Sequence, residues 1–522
     1  MMRKLFTSMM LLAASMGATA TEIPYPGTLA VVIDGSVAQP TKTQVVLDQQ
    51  EDGKYGLALK NFILVQGTDA MPVGNIVLKD IEAVEGQGGL LLVTKQDILL
   101  EAGDAPGVPM WMGPMLGEVP VELEAVIKGD VLTANIIVPI VGQDVEVVFD
   151  SREFQLPNAG FEDFHTASAS TLLGGTVTSD EPNNWHSFMS CAGAMAGMVS
   201  GVPHTFVSDD TRPGSEGTKS VLLKSGMVMG IAVANGTLTT GRLNAGAMDA
   251  ADTGNNACLD LSCEETDANG DPFYTVLNAM PDSISVWVKF QQGSPVEAHP
   301  YATMSAVITD GSYYQEPADA DYSGVVVGLA GCNTIESTGE WQRLVLPFYY
   351  TNESLLPKGI LVTFSTNADA GQGTGSDEMY LDDVELIYNS RLSDLSVNGV
   401  TLPGFAPDTY DYEYSFADGT MPTTDELADL TSFVVDGKEA KGFVSVREDN
   451  VLTVLVLSAD LMSSHAYTIK FTAVADGVES IAGDRGEKAV YNLSGQRVSS
   501  PKKGGLYITK YANGKTVKSI SK

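Results

Sequence analysis

Two carboxylates that lie far apart in the sequence, Glu162 and Asp382, are the side chains best suited to share a cation. Asp382 belongs to a strand-like run, in which alternate side chains face opposite ways. One face is expected to be apolar and consists of Tyr380, Asp382, Val384, Leu386 and Tyr388. The wetter face consists of Leu381, Asp383, Glu385 and Ile387. Because a buried, unpaired carboxylate costs several kcal/mol, Asp382 is predicted to hold a cation with Glu162, or else to accept backbone N–H bonds.

Outward aromatic side chains form a second candidate site. In the strand-like run Ser283–Phe290, the side chains predicted to face the core are Ile284, Val286, Val288 and Phe290. Trp287 and Lys289 then lie on the polar face, where stacking on a sugar ring would explain an exposed tryptophan. Trp341 and Arg343 form a similar outward pair. These four residues are candidates for carbohydrate binding, and a loop that covers Trp287 is the alternative.

Sequence signatures of catalysis are missing. None of the five histidines, His165, His186, His204, His299 and His465, has the spacing of a metal-binding motif. Neither a Gly-x-Ser-x-Gly elbow nor a P-loop occurs. The run Thr266–Asp271 begins like a calcium loop but lacks its glycine and its final glutamate, so it is interpreted as an Asx-rich turn. No catalytic residue is therefore nominated, and an enzyme is the less favoured class.

The four cysteines all lie in the middle of the chain. In an exported protein they could form disulfides, and the candidate pairs are Cys258 with Cys263 and Cys191 with Cys332. A zinc site is less favoured, because neither pair has the two-residue spacing of a zinc knuckle. Free buried thiols are the alternative.

The N-terminus predicts export. Arg3 and Lys4 precede an apolar run, and Ala18–Ala20 fits a small-residue cleavage site, so residues 1–20 are expected to be a signal peptide. No cysteine follows that run, which argues against a lipid anchor, and no later run is apolar and long enough to be a transmembrane segment. The formal net charge of −36 disfavours nucleic acid and anionic lipid as partners. Solubility is the plainest interpretation of this charge, and calcium attraction is a more specific one.

The 522 residues predict several domains, and the first covers residues 22–153. Its strand-like runs are Thr28–Ile33, Thr43–Leu47, Tyr55–Val65, Val73–Leu78, Gly89–Leu92, Val119–Lys128, Val131–Val138 and Asp144–Phe149. About eight strands with short turns favour a closed β-barrel. Segments such as Tyr25–Leu29 and Leu59–Phe62 resemble the calycin-like, lipocalin-related domain. That resemblance implies an apolar small-molecule ligand, and either a barrel mouth or a loop plug made of Met110, Trp111, Met112 and Met115.

Residues 154–389 form the second predicted domain. Asn158–Glu162, Pro182–Trp185, Gly270–Phe273, Gly339–Trp341 and Leu381–Leu386 resemble, in order and spacing, the carbohydrate metabolism domain family, a jelly-roll family of secreted proteins in Gram-negative, glycan-degrading bacteria. The resemblance implies a lectin-like β-sandwich without a known reaction. In related jelly-roll carbohydrate-binding modules, a glutamate near the first strand and an aspartate in the last strand share a structural calcium. Here those positions are Glu162 and Asp382.

Two smaller regions follow. Residues 390–475 carry Leu392–Val400, Gly404–Tyr412 and Ala466–Phe471, and they resemble a cadherin-like β-sandwich. In this region, Thr423–Glu426 predicts a helix start. Residues 476–522 form a basic tail that resembles the C-terminal sorting tail of type IX-like secretion, which implies docking to the secretion machinery or the cell surface.

The sequence therefore predicts an all-β, multidomain protein: a calycin-like β-barrel, a jelly-roll β-sandwich and a small Ig/cadherin-like β-sandwich. The expected location is the secreted fraction or the cell surface of a Gram-negative bacterium. The favoured function is non-catalytic glycan binding, with calcium in a structural role. A glycoside-active enzyme and a structural or adhesin-like scaffold are the alternatives.

Overall fold

The structure, a computed structural model, describes residues 21–50, 53–66, 69–86, 88–140, 143–171, 174–417, 419–473, 489–492, 496–503, 506–510 and 516–520. The signal peptide predicted at residues 1–20 lies outside the described residues. The chain divides into two compact units, one of Met1–Tyr412 with Thr424–Ile469 and one of Glu413–Thr423 with Lys470–Lys522. Nearly all regular structure is β, as predicted, and the chain is an all-β, multidomain protein.

The first region is one ten-stranded antiparallel sheet. Its strands are β1 (Thr21–Ile33), β2 (Ser36–Val37), β3 (Thr41–Gln49), β4 (Tyr55–Gln66), β5 (Asp69–Ile81), β6 (Ala83–Gly86), β7 (Gly89–Leu99), β8 (Glu118–Lys128), β9 (Val131–Ile140) and β10 (Gln143–Asp150). They are ordered β5-β4-β3-β1-β10-β9-β8-β7-β6, with β2 beside β1. Each of the eight predicted runs lies in one of these strands.

The two ends of this sheet approach each other. Asn75 in β5 and Glu101 exchange two backbone hydrogen bonds of 2.8 and 3.1 Å. Alternation puts one side of each strand inside: the buried residues of β8 are Val119, Val121, Leu123, Ala125 and Ile127. An apolar cavity of about 20 Å³ is left near Phe62, which is room for about one water molecule. The interior is therefore filled by side chains, and an apolar ligand stays a prediction that requires the sheet to open.

The methionine-rich segment is a loop that contacts β5. Met112 donates its backbone N–H to Pro72 of β5 (2.8 Å), and a 3₁₀ helix follows at Gly113–Met115. Met110 and Met115 are exposed, while Trp111 is half-buried. The mouth and the plug therefore both stay predictions.

The second region is a β-sandwich. Its strands are β11 (Phe164–Ser170), β12 (Thr176–Pro182), β13 (Thr205–Ser208), β14 (Ser220–Lys224), β15 (Gly226–Val228), β16 (Ala232–Ala234), β17 (Thr237–Thr239), β18 (Arg242–Ala245), β19 (Asn255–Leu259), β20 (Thr275–Val276), β21 (Ser283–Gln291), β22 (Ala302–Thr309), β23 (Tyr314–Glu316), β24 (Val326–Ile335), β25 (Gln342–Pro347), β26 (Tyr349–Tyr350), β27 (Gly359–Ser365) and β28 (Glu378–Ile387). A short helix α1 (Ala196–Val199) and a 3₁₀ helix (Phe188–Ser190) interrupt them.

Two sheets make up the body of the sandwich. One has the order β13-β14-β28-β21-β25, and the other has the order β17-β27-β22-β24-β26 with β20 beside β27. Apolar side chains of both sheets share one core, which includes Ile284 and Phe290 of β21 and Ile360 and Phe364 of β27. Small sheets β11-β12, β15-β16 and β18-β19-β23 complete the region.

The opening and closing segments of the sandwich meet, as predicted. Val384 donates its backbone N–H to Ala159 (2.9 Å), and the Gln155 side chain makes two hydrogen bonds with the Leu386 backbone. The Tyr388 hydroxyl donates to the Phe154 carbonyl (2.9 Å).

The predicted face assignment in β28 is partly wrong. Leu381 and Val384 both lie in the core, and Tyr380 faces away from it, because the alternation shifts at Asp383. Asp383 adopts a left-handed φ of 44°, and the β21–β28 register jumps at this point. Asp382 is buried as predicted, but on the outer side of the sheet, opposite Trp287.

The third region has two sheets, ordered β30-β29-β32 and β31-β35-β34-β33. Its strands are β29 (Leu392–Val397), β30 (Val400–Thr401), β31 (Asp411–Phe416), β32 (Thr431–Val435), β33 (Lys441–Val446), β34 (Val451–Leu457) and β35 (Ser464–Ala473). The predicted helix is confirmed as α2 (Thr424–Leu430). The cadherin-like relationship stays a prediction.

The tail contains a small antiparallel sheet in its described part, formed by β36 (Ala489–Tyr491), β37 (Leu506–Lys510) and β38 (Thr516–Ile520). Its role in sorting or docking stays a prediction. Among the described residues, the helices are all too short and insufficiently apolar to cross a bilayer.

Candidate functional site

The predicted carbohydrate-binding residues share the outer face of the five-stranded sheet. Trp287 and Arg343 are directly opposite each other on β21 and β25, and Lys289 lies further along β21 on the same side. Trp341 immediately precedes β25, and the Lys289 ammonium lies 5.5 Å from the centre of its ring. The structure therefore brings all four residues onto one surface.

A row of side chains crosses this face at right angles to the strands. Four of its members, Phe206, Leu222, Tyr380 and Lys289, are in register on successive strands. Trp341, just before β25, continues the row beside Lys289. Because neighbouring strands are about 4.8 Å apart, the row is about 19 Å long. We call it the aromatic row. Its aromatic rings are all half-buried, so each keeps part of its surface in solvent.

Lys289 and Asp210 organise one end of the aromatic row. The Lys289 ammonium forms an ion pair with Asp210 and lies 4.0 Å from the centre of the Tyr380 ring. The Trp341 indole N–H donates to the same carboxylate (3.2 Å). The hydrogen bond from Lys289, followed by that from Trp341, lowers the pKa of Asp210. This end therefore presents fixed charges beside two aromatic rings.

The loop between β13 and β14 reaches Trp287, which stays half-buried. The Arg212 guanidinium lies 5.6 Å from the centre of the Trp287 ring, and Arg212 Nε donates to Asp383 (2.5 Å). Arg343 is more open and hydrogen-bonds Ser285 (3.3 Å). Trp287 and Trp341 are both half-buried, so each keeps part of its ring in solvent.

The proposed cation ligands Glu162 and Asp382 both contact the loop between β13 and β14. Asp382 Oδ2 accepts the Arg212 backbone N–H (2.9 Å), whereas Oδ1 is buried without a hydrogen-bond partner among the described residues. Burial is the main reason that the pKa of Asp382 is raised to about 6. Glu162 accepts hydrogen bonds from the backbone N–H groups of Thr218 and Lys219, at 3.0 and 3.1 Å. Asp382 thus has one oxygen available to a cation, whereas the Glu162 carboxylate already accepts hydrogen bonds.

The four cysteines are free thiols in the structure, so neither predicted pair, Cys258 with Cys263 or Cys191 with Cys332, is joined. Burial raises the pKa of Cys191 to about 12 and also raises the pKa of Cys258. Both thiols are therefore protonated and unreactive at neutral pH.

Sequence reasoning missed a buried cluster of two histidines and two carboxylates. His165 Nε2 lies 3.8 Å from Glu181 Oε2 and 3.5 Å from Asp267 Oδ2. His186 Nδ1 lies 3.6 Å from the same Asp267 oxygen. None of these four atoms has a hydrogen-bond partner among the described residues. We call this group the histidine–carboxylate cluster.

The cluster borders a cavity of about 240 Å³. Polar residues that line it include Ser168, Ser190, Arg242 and Glu265. The Arg242 guanidinium pairs with Glu265 (2.5 Å) and lies 4.6 Å from the centre of the Phe273 ring. Burial raises the pKa of Glu181 and lowers that of His186. The cluster is thus a polar site beside a cavity that can hold solvent.

The Asx-rich turn interpretation of Thr266–Asp271 is confirmed. Asp267 Oδ1 accepts the backbone N–H groups of Asn269 (2.9 Å) and Asp271 (2.8 Å). The turn leaves Asp267 Oδ2 pointing at the two histidines. A histidine and an acidic residue on paired strands would have been the signal for this cluster, but strand register cannot be read from spacing alone.

Comparison with known protein families gives a match for one region of the chain. The calycin-like β-barrel domain family matches residues 23–151, in agreement with the ten-stranded sheet. No curated protein matches the chain.

The solved structures found by comparison resemble this chain only at low sequence identity. One comes from Bacteroides thetaiotaomicron and is described as a candidate glycoside hydrolase; it is 15% identical, with 68% of this chain and 87% of that chain covered at a TM-score of 0.27. Another is a carbohydrate-binding module of the β-sandwich superfamily, 8% identical, with 71% of this chain and 98% of that one covered at a TM-score of 0.19. Similarity at this level carries no information about substrate or reaction.

Proposed function

We propose that this chain is an exported, non-catalytic glycan-binding protein that holds its ligand along the aromatic row. The observation that carries the proposal is the in-register placement of Phe206, Tyr380 and Lys289 on one outward sheet face, with the Trp341 ring beside Lys289. Its length of about 19 Å suits an extended chain of sugar rings better than a single ring. Export would follow from the signal peptide expected before Thr21, and N-terminal sequencing of the secreted chain checks it.

The row offers both interactions that sugar recognition needs. The apolar faces of sugar rings stack on aromatic side chains, and Trp341 and Tyr380 supply such surfaces beside Lys289. Asp210 and Arg343, both exposed, can hydrogen-bond hydroxyl groups at the edge of the row. Because the Lys289–Asp210 pair already exists, these groups are held in position before the ligand arrives.

Trp341→Ala is expected to weaken binding of the preferred glycan about 10- to 100-fold, since it removes the largest aromatic ring of the row. A glycan array on the mature chain identifies the ligand, and calorimetry measures the dissociation constant of the variant. Tyr349→Ala is the matched control, because Tyr349 is 70% exposed on the other sheet. Equal affinity of the Trp341 variant and the parent protein would contradict the proposal.

The two alternatives give different results in the same experiment. A glycoside-active enzyme would release reducing ends from a polysaccharide panel, and we would expect its chemistry in the cavity that contains Glu181 and Glu265. A structural or adhesin-like scaffold would bind no glycan on the array.

We also propose a structural calcium ion with Asp382 as a ligand, supported by its buried Oδ1, which has no hydrogen-bond partner in the part of the chain that the structure describes. Glu162 would join with oxygens that also accept hydrogen bonds from Thr218 and Lys219. Calcium prefers several oxygen ligands, which carboxylates and backbone carbonyls provide.

Calcium and low pH are expected to stabilise the protein through the same carboxylate. The pKa of Asp382 is raised from 3.8 to about 6 in the folded chain, so folding takes up a proton between these two pH values. The resulting stability is fully present below pH 3.8 and is lost as the pH rises through 6. Without calcium, Asp382 should therefore contribute about 1 to 2 kcal/mol more stability near pH 4 than near pH 7, after allowance for solvent screening. Calcium at pH 7 should raise the melting temperature, and Asp382→Asn should abolish both effects. An unchanged melting temperature in millimolar calcium would refute the calcium site.

A further inference from the structure

The histidine–carboxylate cluster contains only atoms that accept hydrogen bonds. His165 Nδ1 lies 3.1 Å from the side-chain oxygen of Asn183, and His186 Nε2 lies 3.2 Å from the carbonyl of Pro272. Because these oxygens can only accept, the ring protons belong on those nitrogens. The other ring nitrogens, which carry lone pairs, then face the carboxylates of Glu181 and Asp267.

We propose that His165, Glu181 and Asp267 bind a divalent transition-metal ion, with zinc as the best match, and that His186 supports the site beside Asp267. Zinc is bound by imidazole nitrogens at about 2.0–2.1 Å and by carboxylate oxygens at about 2.0–2.2 Å. In a tetrahedral site with such bonds, neighbouring donor atoms are about 3.4 Å apart. The 3.5 and 3.8 Å separations from His165 Nε2 fit that geometry. The three donor atoms all lie within 4.8 Å of one another.

The fold holds these side chains rigidly. His165 and Glu181 are directly opposite each other on β11 and β12, so their side chains start on the same face of the hairpin. Glu181 Oε1 accepts the Ser187 backbone N–H (2.7 Å) and the Ser190 hydroxyl (3.0 Å). The second oxygen of Glu181 is thereby aimed into the cluster, as the second oxygen of Asp267 is by the Asx turn.

The surroundings match the outer shell of a metal site. Metal-binding histidines commonly donate their second ring N–H to a carbonyl or carboxylate, which fixes the tautomer, and both histidines do so here. The Glu181 and His186 side chains are completely buried, so their unpartnered atoms cannot be satisfied by bulk water.

A direct histidine–carboxylate ion pair is the competing explanation. It would need a proton on His165 Nε2 directed at an oxygen, but the 3.5 and 3.8 Å separations exceed the usual N–H···O range of about 2.7–3.2 Å. A metal ion lying between the donors accounts for their convergence and for the gaps. Three protein ligands leave a fourth position open toward the cavity, where water or a small anion near Arg242 can bind.

The test uses the full mature chain, freed of metal with a chelator and titrated separately with zinc, manganese and calcium. We expect one zinc ion per chain, tighter binding of zinc than of calcium, and at least a 100-fold loss of zinc affinity in Asp267→Asn and in His165→Ala. His299→Ala is the control, since His299 forms its own pair with Asp369 and contacts none of the four residues. Anomalous diffraction at the zinc edge should place the ion about 2.0–2.1 Å from His165 Nε2.

Asp267→Asn separates a metal site from a structural ion pair. The asparagine oxygen can still cap the turn, and its amide can donate to the histidine lone pairs, so the metal-free variant should melt no lower than the metal-free parent. If the cluster is only an ion pair, the metal-free variant melts at a lower temperature than the metal-free parent. In that case the parent also binds no zinc, or binds it with the same affinity as the substituted proteins. Either of those results, or an anomalous peak elsewhere, overturns the proposal.

Discussion

Replacement of Arg152 by methionine is expected to lower the free energy of unfolding by about 3 to 5 kcal/mol. Arg152 Nε lies 3.1 Å from both oxygens of Asp150, Nη2 lies 2.8 Å from Oδ2, and Nη1 lies 2.6 Å from Glu439. Asp150 is 2% exposed, so the variant leaves a buried carboxylate without its cation. The loss of a partner from a buried pair costs far more than the pair itself contributes.

Urea denaturation, followed by tryptophan fluorescence, measures this effect. Arg447→Met is the matched control, because the Arg447–Asp449 pair is more than half exposed and should contribute less than about 1 kcal/mol. Arg152→Met combined with Asp150→Asn should recover part of the loss, since the buried charge is then removed as well. Equal effects of the Arg152 and Arg447 variants would show that the buried pair is not a structural anchor.

Trp185→Ala is expected to destabilise the protein by about 3 to 5 kcal/mol, as is usual for the truncation of a large buried aromatic residue. Trp185 is completely buried in the sandwich core, and its ring centre lies 5.2 Å from Phe161 and 6.1 Å from Phe364. Its indole N–H donates to the Pro157 carbonyl (3.1 Å) and so fastens the opening segment to the core.

Two substitutions of Trp185 separate the contribution of its side-chain volume from that of its hydrogen bond to Pro157. Trp185→Phe retains much of the packing but leaves the Pro157 carbonyl without its donor, so about 1 to 2 kcal/mol should be lost. Trp341→Ala, on the outer face, should change stability by less than about 1 kcal/mol. A small effect of Trp185→Ala would mean that the opening segment is not held by this core.

Local patterns predicted the strands well, because alternation reports which side of a strand is buried. The strands β8 and β21 are each one residue longer than the predicted runs Val119–Lys128 and Ser283–Phe290. The meeting of the opening and closing segments was also predictable, because both belong to one ordered set of motifs.

Features that depend on a single backbone angle or on strand register were not predictable. The left-handed Asp383 inverts the faces of β28, and alternation assumes that no such residue occurs. His165 meets Glu181 only because of the β11–β12 register, and Asp267 joins them through a loop distant in sequence. The Arg212 loop over Trp287 has no signal in the sequence of β21 itself.

A crystal structure of the mature protein with the glycan selected on the array tests the central claim most directly. We predict sugar rings along the aromatic row, with one ring stacked on Trp341 and hydroxyl groups hydrogen-bonded to Asp210 or Arg343. Sugar density in the cavity beside Glu181, with the row empty, would contradict this account and would favour the glycoside-active alternative.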